Sequence, residues 1–256
     1  MIPTRSKNLL ELQNVCFEAE GKQILRDISL TLEDRFVAVT GPNGGGKSTL
    51  AKIIMGIDRP TSGRILFDGT DITDLSISER ANLGISYAFQ QPVRFKGLRV
   101  QDLLKLASKK DNTVTDACSV LSEVGLCARD YMNRELNSTL SGGELKRIEI
   151  AMVLARGTKL SIFDEPEAGI DLWSFQNLIH VFENMYERIR GSILIISHQE
   201  RILNMADKIL YIKDGALAAY GAKDQILPQL LQNQENSPCK VLTDKLADGK
   251  KEVPAV

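Results

Sequence analysis

The sequence predicts an α/β fold built on a mainly parallel sheet, and three observations point to it. Short apolar runs of strand character recur at residues 36–41, 85–89, 160–165, 192–197 and 208–215. Stretches with apolar residues at helical spacing lie between them, and that alternation is the pattern of a parallel sheet covered on both faces. With 256 residues, 43% of them hydrophobic, the chain can bury a full core as one large domain or two lobes.

Taken in order, residues 9–17 and 24–32 read as β-rich, separated by the turn-like EAEGK. FVAVTG (36–41) reads as a continuous buried strand, and KSTLAKIIMG (47–56) as a helix ending at Gly56. TSGRILFDG (61–69) reads as a turn and strand, and ISYAF (85–89) as another buried strand. From Gln90 the character changes: 98–108, 113–124 and 142–156 are helical in pattern, with TVTD (113–116) and Ser141–Glu144 spaced as capping boxes. Strands return with LSIFDE, SILIIS and KILYIKDG, separated by helical sequence such as 174–189. The expected organisation is a lobe of residues 1–90 and 158–231 with a helical insertion at 91–157. Residues 232–256 lose periodicity and read as a tail.

Composition excludes several classes. The net charge is −1, from 32 basic and 33 acidic residues, without a run of like charges, so nucleic acid is not expected as a partner. Aromatic residues, at 5%, are too sparse for base-stacking surfaces. No apolar run approaches the roughly 20 residues needed to cross a bilayer, which argues against direct membrane insertion. The N-terminus lacks the apolar segment of a signal peptide. Cys16, Cys118, Cys127 and Cys239 are scattered without CxxC spacing, as suits reduced thiols. A soluble cytoplasmic protein is the expectation.

GPNGGGKST (41–49) matches G-x-x-x-x-G-K-[ST] between a buried strand and a helix, where a phosphate-binding loop must lie. Gly41, Gly44, Gly45 and Gly46, with Pro42 and Asn43 between them, let the backbone wrap phosphates closely, and the helix N-terminus adds positive potential. Lys47 reaches the β- and γ-phosphates, Ser48 offers a hydroxyl to Mg²⁺, and Thr49 a hydroxyl near the α-phosphate. The strand LSIFD then delivers Asp164 and Glu165 at its carboxyl end, where ligands collect in open sheets. Asp164 is suited to holding Mg²⁺ through its water shell, and Glu165 to orienting or deprotonating an attacking water. His198 follows another apolar strand within reach of a γ-phosphate, whereas His180 reads as structural. Gln90, at a strand exit, can coordinate Mg²⁺ or water. In LSGGE (140–144) a cap needs Ser141 and Glu144, not Gly142 and Gly143, each of which weakens a helix by about 1 kcal/mol.

Together these residues resemble the nucleotide-binding subunits of the ABC ATPase family. GPNGGGKST is similar to its Walker A, Gln90 to its Q-loop, LSGGE to its signature, LSIFDE to its Walker B, AGID (168–171) to its D-loop and His198 to its switch histidine. The resemblance implies a RecA-like P-loop core with an antiparallel β subdomain and an inserted helical subdomain. It implies an ATP hydrolase using Mg²⁺, working as an ATP-dependent head-to-tail homodimer. Walker A of one subunit and Ser141, Gly142 and Gly143 of the other would hold each ATP, with Asp171 beside it. One position departs: where the family commonly stacks adenine on an aromatic residue, this chain has Ala19, with Phe17 expected in the core.

Residues 79–107, with AFQ-x-P-V, and the stretches SGGELKRIEI and SHQERIL are similar to the SufC branch, soluble ABC ATPases of iron–sulfur cluster assembly. DEPEAGID follows the wider family instead. The branch resemblance implies a SufB- or SufD-like scaffold docked near residues 91–106, unless Val100, Leu103, Leu104 and Leu106 there are all core. A membrane transporter's ATP-binding subunit is the alternative, and a non-hydrolytic nucleotide clamp a third reading that the intact Glu165 disfavours.

Overall fold

The computed structural model describes residues 9–108, 114–136, 139–188 and 191–235. A four-stranded antiparallel sheet, in the order β2-β1-β4-β5, comprises β1 (Leu10–Ala19), β2 (Lys22–Leu32), β4 (Ser62–Phe67) and the short β5 (Thr70–Asp71). The six-stranded sheet, in the order β10-β9-β3-β8-β7-β6, comprises β3 (Phe36–Thr40), β6 (Ile85–Ala88), β7 (Leu160–Asp164), β8 (Ser192–Ile196), β9 (Lys208–Lys213) and β10 (Ala216–Ala222). Its pairs are parallel except β10 with β9.

Period-two alternation divides the apolar runs between two cores. Phe36, Ala38, Phe163, Ile193 and Ile195 face one cluster, which reaches into the helical stretch. Val37, Val39, Ile162, Leu194 and Ile196 face the other, shared with the antiparallel sheet. Both faces are therefore covered, which is why these strands read as continuously hydrophobic.

The helix α1 (Lys47–Met55) follows β3 and α2 (Ile77–Leu83) precedes β6. Between β6 and β7 lie α3 (Val100–Ala107), α4 (Val114–Glu123), α5 (Ala128–Tyr131) and α6 (Gly142–Arg156). Next come α7 (Leu172–Arg188), α8 (Glu200–Met205) and α9 (Lys223–Glu235). The sequence pattern does not single out α2, although Ser76 and Glu79 form its capping box. Arg80 on α2 is fully buried and donates to the carbonyls of Ile53, Ile54 and Thr73, placing a cation at the C-terminus of α1.

One expectation is corrected, and one alternative left open by the sequence is decided. Helix α9 (Lys223–Glu235), anchored on the core by Ile226, Leu227 and Leu230, continues past residue 231 where the sequence pattern fades. Leu106 is 72% exposed, unlike its buried neighbours Val100, Leu103 and Leu104. The rest of the expected tail, with Cys239, and Thr113 of the TVTD cap lie outside the described residues. Among the described residues no helix is long and apolar enough to cross a membrane.

Candidate functional site

The loop between β3 and α1 sits at the carboxyl end of the parallel strands. Gly41 has φ 143°, and a Cβ there would lie 1.9 Å from the carbonyl oxygen of Ile212, so this close approach to β9 admits only glycine. Lys47, 5% exposed, donates through Nζ to the carbonyls of Gly41 (2.8 Å) and Pro42 (3.0 Å). Burial lowers its pKa, while Glu165 and Asp164 oppose that shift. A cavity of about 610 Å³ runs along the loop, lined by residues 43–49, Gln90, Glu165, Asp214, Gly215 and the start of β2.

Strand β7 brings its two terminal carboxylates to this loop. Ser48 Oγ donates to Asp164 Oδ1 at 2.9 Å, and the Tyr87 hydroxyl donates to Asp164 Oδ2 at 2.7 Å. Burial first, then Asp164, raises the Tyr87 pKa far above its ordinary value. Glu165 turns out of the sheet at φ 44°, a left-handed conformation costing about 1 kcal/mol or more in a non-glycine residue. Its N–H is held by the Ile196 carbonyl at 3.0 Å. Its Oε2 accepts from Gln90 Nε2 at 2.6 Å, and its Oε1 lies 3.8 Å from His198 Nε2. Burial first, then Lys47, lowers the His198 pKa, against Glu165, which favours the neutral imidazole. The structure thus gathers Lys47, Ser48, Gln90, Asp164, Glu165 and His198 in one place.

It does not bring the signature residues there. Ser141 and Glu144 form the expected capping box: Ser141 Oγ accepts from the Glu144 N–H (3.2 Å), and Glu144 Oε2 accepts from the Ser141 N–H (2.6 Å). Asp171 caps α7 instead of facing the loop, accepting from the N–H groups of Trp173 and Ser174 at 3.0 Å and from Ser174 Oγ at 2.7 Å. Ser141, Gly142, Gly143 and Asp171 are absent from the lining of the phosphate-loop cavity. Gly143 also has a reason within the chain: a Cβ there would lie 2.6 Å from Ser174 Oγ and 2.8 Å from its Cβ. Gly142 is spacious by comparison, its nearest such contact being 3.5 Å to the Gly169 carbonyl oxygen.

The hairpin turn at Glu20 and Gly21 follows Ala19, which pairs with Lys22, and no aromatic side chain among the described residues lines the cavity. Phe17 packs, half-buried, against the core.

Other polar groups have little signal along the chain. Lys146 Nζ donates to the Phe89 carbonyl (2.5 Å) and Glu149 Oε1 accepts from the Phe89 N–H (3.0 Å), so α6 grips the backbone just before Gln90. In the sequence they are two charges on a predicted helix, and nothing more. Glu167 accepts from the Ser197 hydroxyl, while its Oε2 is buried without a hydrogen-bond partner among the described residues. Beside β6 an apolar groove of about 360 Å³ is lined by Tyr87, Phe89, Val93, Phe95, Leu106 and Met152, among others.

The residues fit a magnesium triphosphate. One carboxylate, one hydroxyl and one amide are hard oxygen donors, too few to hold Mg²⁺ without substrate oxygens and water. Among the described residues no group of three or more His, Cys, Asp or Glu side chains forms a metal site of its own.

A sequence profile described as "ABC transporter" matches residues 25–168, more than half of the chain. The chain belongs to the ABC transporter family, as an ABC ATPase that hydrolyses ATP. It is 38% identical over 252 residues to an ABC transporter ATP-binding protein of Methanocaldococcus jannaschii, covering 94% of this chain and 98% of that one. It is 31% identical to the spermidine/putrescine import ATP-binding protein PotA of Mesoplasma florum, covering 86% of this chain and 63% of that one. Among solved structures, a dimeric ATP-binding cassette bound to ADP and Pi aligns with TM-score 0.73 and 23% identity, covering 84% of this chain and 99% of that one. An ATP-bound bacterial Atm1-family ABC exporter aligns with TM-score 0.77 and 22% identity, over 88% of this chain and 41% of that one. These structures share the ABC cassette fold, with its parallel core and antiparallel sheet. Both relatives carry transporter names, and neither name bears out the finer resemblance to the SufC branch.

Proposed function

We propose that this chain is the ATPase subunit of a transporter-type ABC system, hydrolysing ATP at sites shared between two copies. The observation that carries the proposal is the convergence of Lys47, Ser48, Gln90, Asp164, Glu165 and His198 on one loop, while Ser141 is held apart in its capping box with Glu144. In this reading the loop from Gly41 to Thr49, with Pro42 and Asn43, wraps the phosphates, and Lys47 holds the β- and γ-oxygens. Ser48, Gln90 and Asp164 hold Mg²⁺, whose bound charge offsets the negative charge growing on the transferring phosphoryl group. Glu165, positioned by Gln90, accepts the proton of the attacking water, and His198 is a hydrogen-bond partner for the γ-phosphate. Residues 1–90 and 158–231 act as the nucleotide lobe, and 91–157 as the lobe presenting Ser141, Gly142 and Gly143 to a second copy, with Asp171 at the seam. Side chains at Gly142 would hold an anion away from the N-terminus of α6.

The partner sits in the apolar groove of Phe89, Val93, Phe95 and Leu106, whose exposed side chains suit a helix face. The transporter names of the relatives favour a membrane permease as occupant. A SufB- or SufD-like scaffold docked at residues 91–106 is the second reading, supported by the Q-loop wording AFQ-x-P-V and by SHQERIL. Co-purification from the native host separates them: a polytopic membrane protein supports the first, and a soluble protein able to carry an iron–sulfur cluster replaces it with the second. Glu165→Gln tests the chemistry. It should bind ATP normally and turn over at least about 10²-fold more slowly, and near-normal hydrolysis would remove Glu165 from its role.

A further inference from the structure

Tyr87 touches both the apolar groove and the Walker B carboxylate. Its ring lines the apolar groove and meets Phe89 edge-on, with centroids 4.8 Å apart. Its hydroxyl donates to Asp164 Oδ2 at 2.7 Å, on the opposite side of the carboxylate from Ser48, which occupies Oδ1 at 2.9 Å. Asp164 is 4% exposed, so these donors set its orientation. A carboxylate held through both oxygens loses little further freedom when a cation or its water approaches. The strand carrying Tyr87 is itself restrained just beyond its end, where Lys146 and Glu149 hold the Phe89 backbone from α6.

We infer that Tyr87 is a positioning residue: its hydroxyl fixes Asp164 in the orientation that receives Mg²⁺. The inference rests on the ATPase reading, but it assigns a part of the Mg²⁺ response to a residue outside all the sequence motifs. It requires no contact between Tyr87 and nucleotide.

The test is ATP binding by calorimetry to the full chain, with Mg²⁺ and again with EDTA, in wild type, Tyr87→Phe and Phe89→Leu. Tyr87→Phe keeps every carbon of the ring and removes one oxygen, so thermal unfolding monitors the fold. The gain in ATP affinity on adding Mg²⁺ should shrink about tenfold in Tyr87→Phe, the scale of one hydrogen bond to a charged group, with affinity in EDTA unchanged. Phe89→Leu, which keeps the hydroxyl, should retain the wild-type gain. An unchanged Mg²⁺ gain in Tyr87→Phe overturns the inference, even if Tm falls, because the hydroxyl then serves the fold alone. An equal loss in both variants also overturns it, assigning the effect to ring packing. If wild type shows no Mg²⁺ gain at all, the ATPase reading fails first, and with it this one.

Discussion

Glu165 is strained at φ 44° and restrained at three points: its N–H by Ile196, and its carboxylate by Gln90 and, more distantly, His198. Strain held in place by so many contacts is characteristic of a group whose position matters to chemistry. Lys47→Ala should lose ATP affinity as well as rate, because it removes a charge-assisted phosphate contact; a binding titration showing unchanged affinity would contradict that. Two residues on, Glu167 offers a pH test. Burial first, with Glu165 adding to it, raises its pKa above the ordinary carboxylate value, against the hydrogen bonds from Ser197 and the backbone. Below the ordinary value folded and unfolded chains both hold the proton; above the raised one the folded chain carries a buried charge. Its contribution to stability is therefore complete at acid pH and lost as pH rises. The Tm of Glu167→Gln relative to wild type should improve from about pH 5 to about pH 8, and a flat or reversed difference would contradict the sign.

At the scale of elements, the neighbouring glycines of α6 divide fold from function. Gly143→Ala drives a methyl group into Ser174, itself bonded to Asp171, and should lower stability by about 1–3 kcal/mol. Gly142→Ala meets no close contact and removes a flexible residue from the first helical turn, so it should keep or raise stability by up to about 1 kcal/mol. Hydrolysis by Gly142→Ala should nevertheless fall. Denaturation curves and ATPase rates on the two variants check both halves. The strands, the long helices and the site motifs are legible in the sequence because each carries a period or a fixed spacing. Less legible are features created by tertiary contact. Tyr87 lies in a strand that reads as apolar, and the cap that Asp171 forms on α7 is not legible beside its D-loop wording. Gly143 reads as a purely phosphate-facing glycine because the approach of α7 has no signal along the chain. Spacing leaves Leu106 open between core and surface, and in the fold it lies on the groove rim.

For the whole molecule, a phosphate loop and a signature helix that do not share a cavity within one chain point to assembly. Trp173 supplies an internal reporter, being the chain's single tryptophan, 76% exposed and two residues from Asp171 at the proposed seam. In Glu165→Gln, adding ATP and Mg²⁺ should shield Trp173 from a soluble quencher, and unchanged quenching would place the seam elsewhere. Complementation addresses the shared site most directly. Lys47→Ala disables the phosphate loop, and Ser141→Arg disables the signature start, so each variant alone lacks every intact composite site. A mixed dimer regains one, formed by the loop of the Ser141→Arg copy and the helix start of the Lys47→Ala copy. The ATPase rate of the 1:1 mixture should clearly exceed the summed rates of the separate variants. A mixture no faster than that sum would contradict an ATP site built from two copies of this chain.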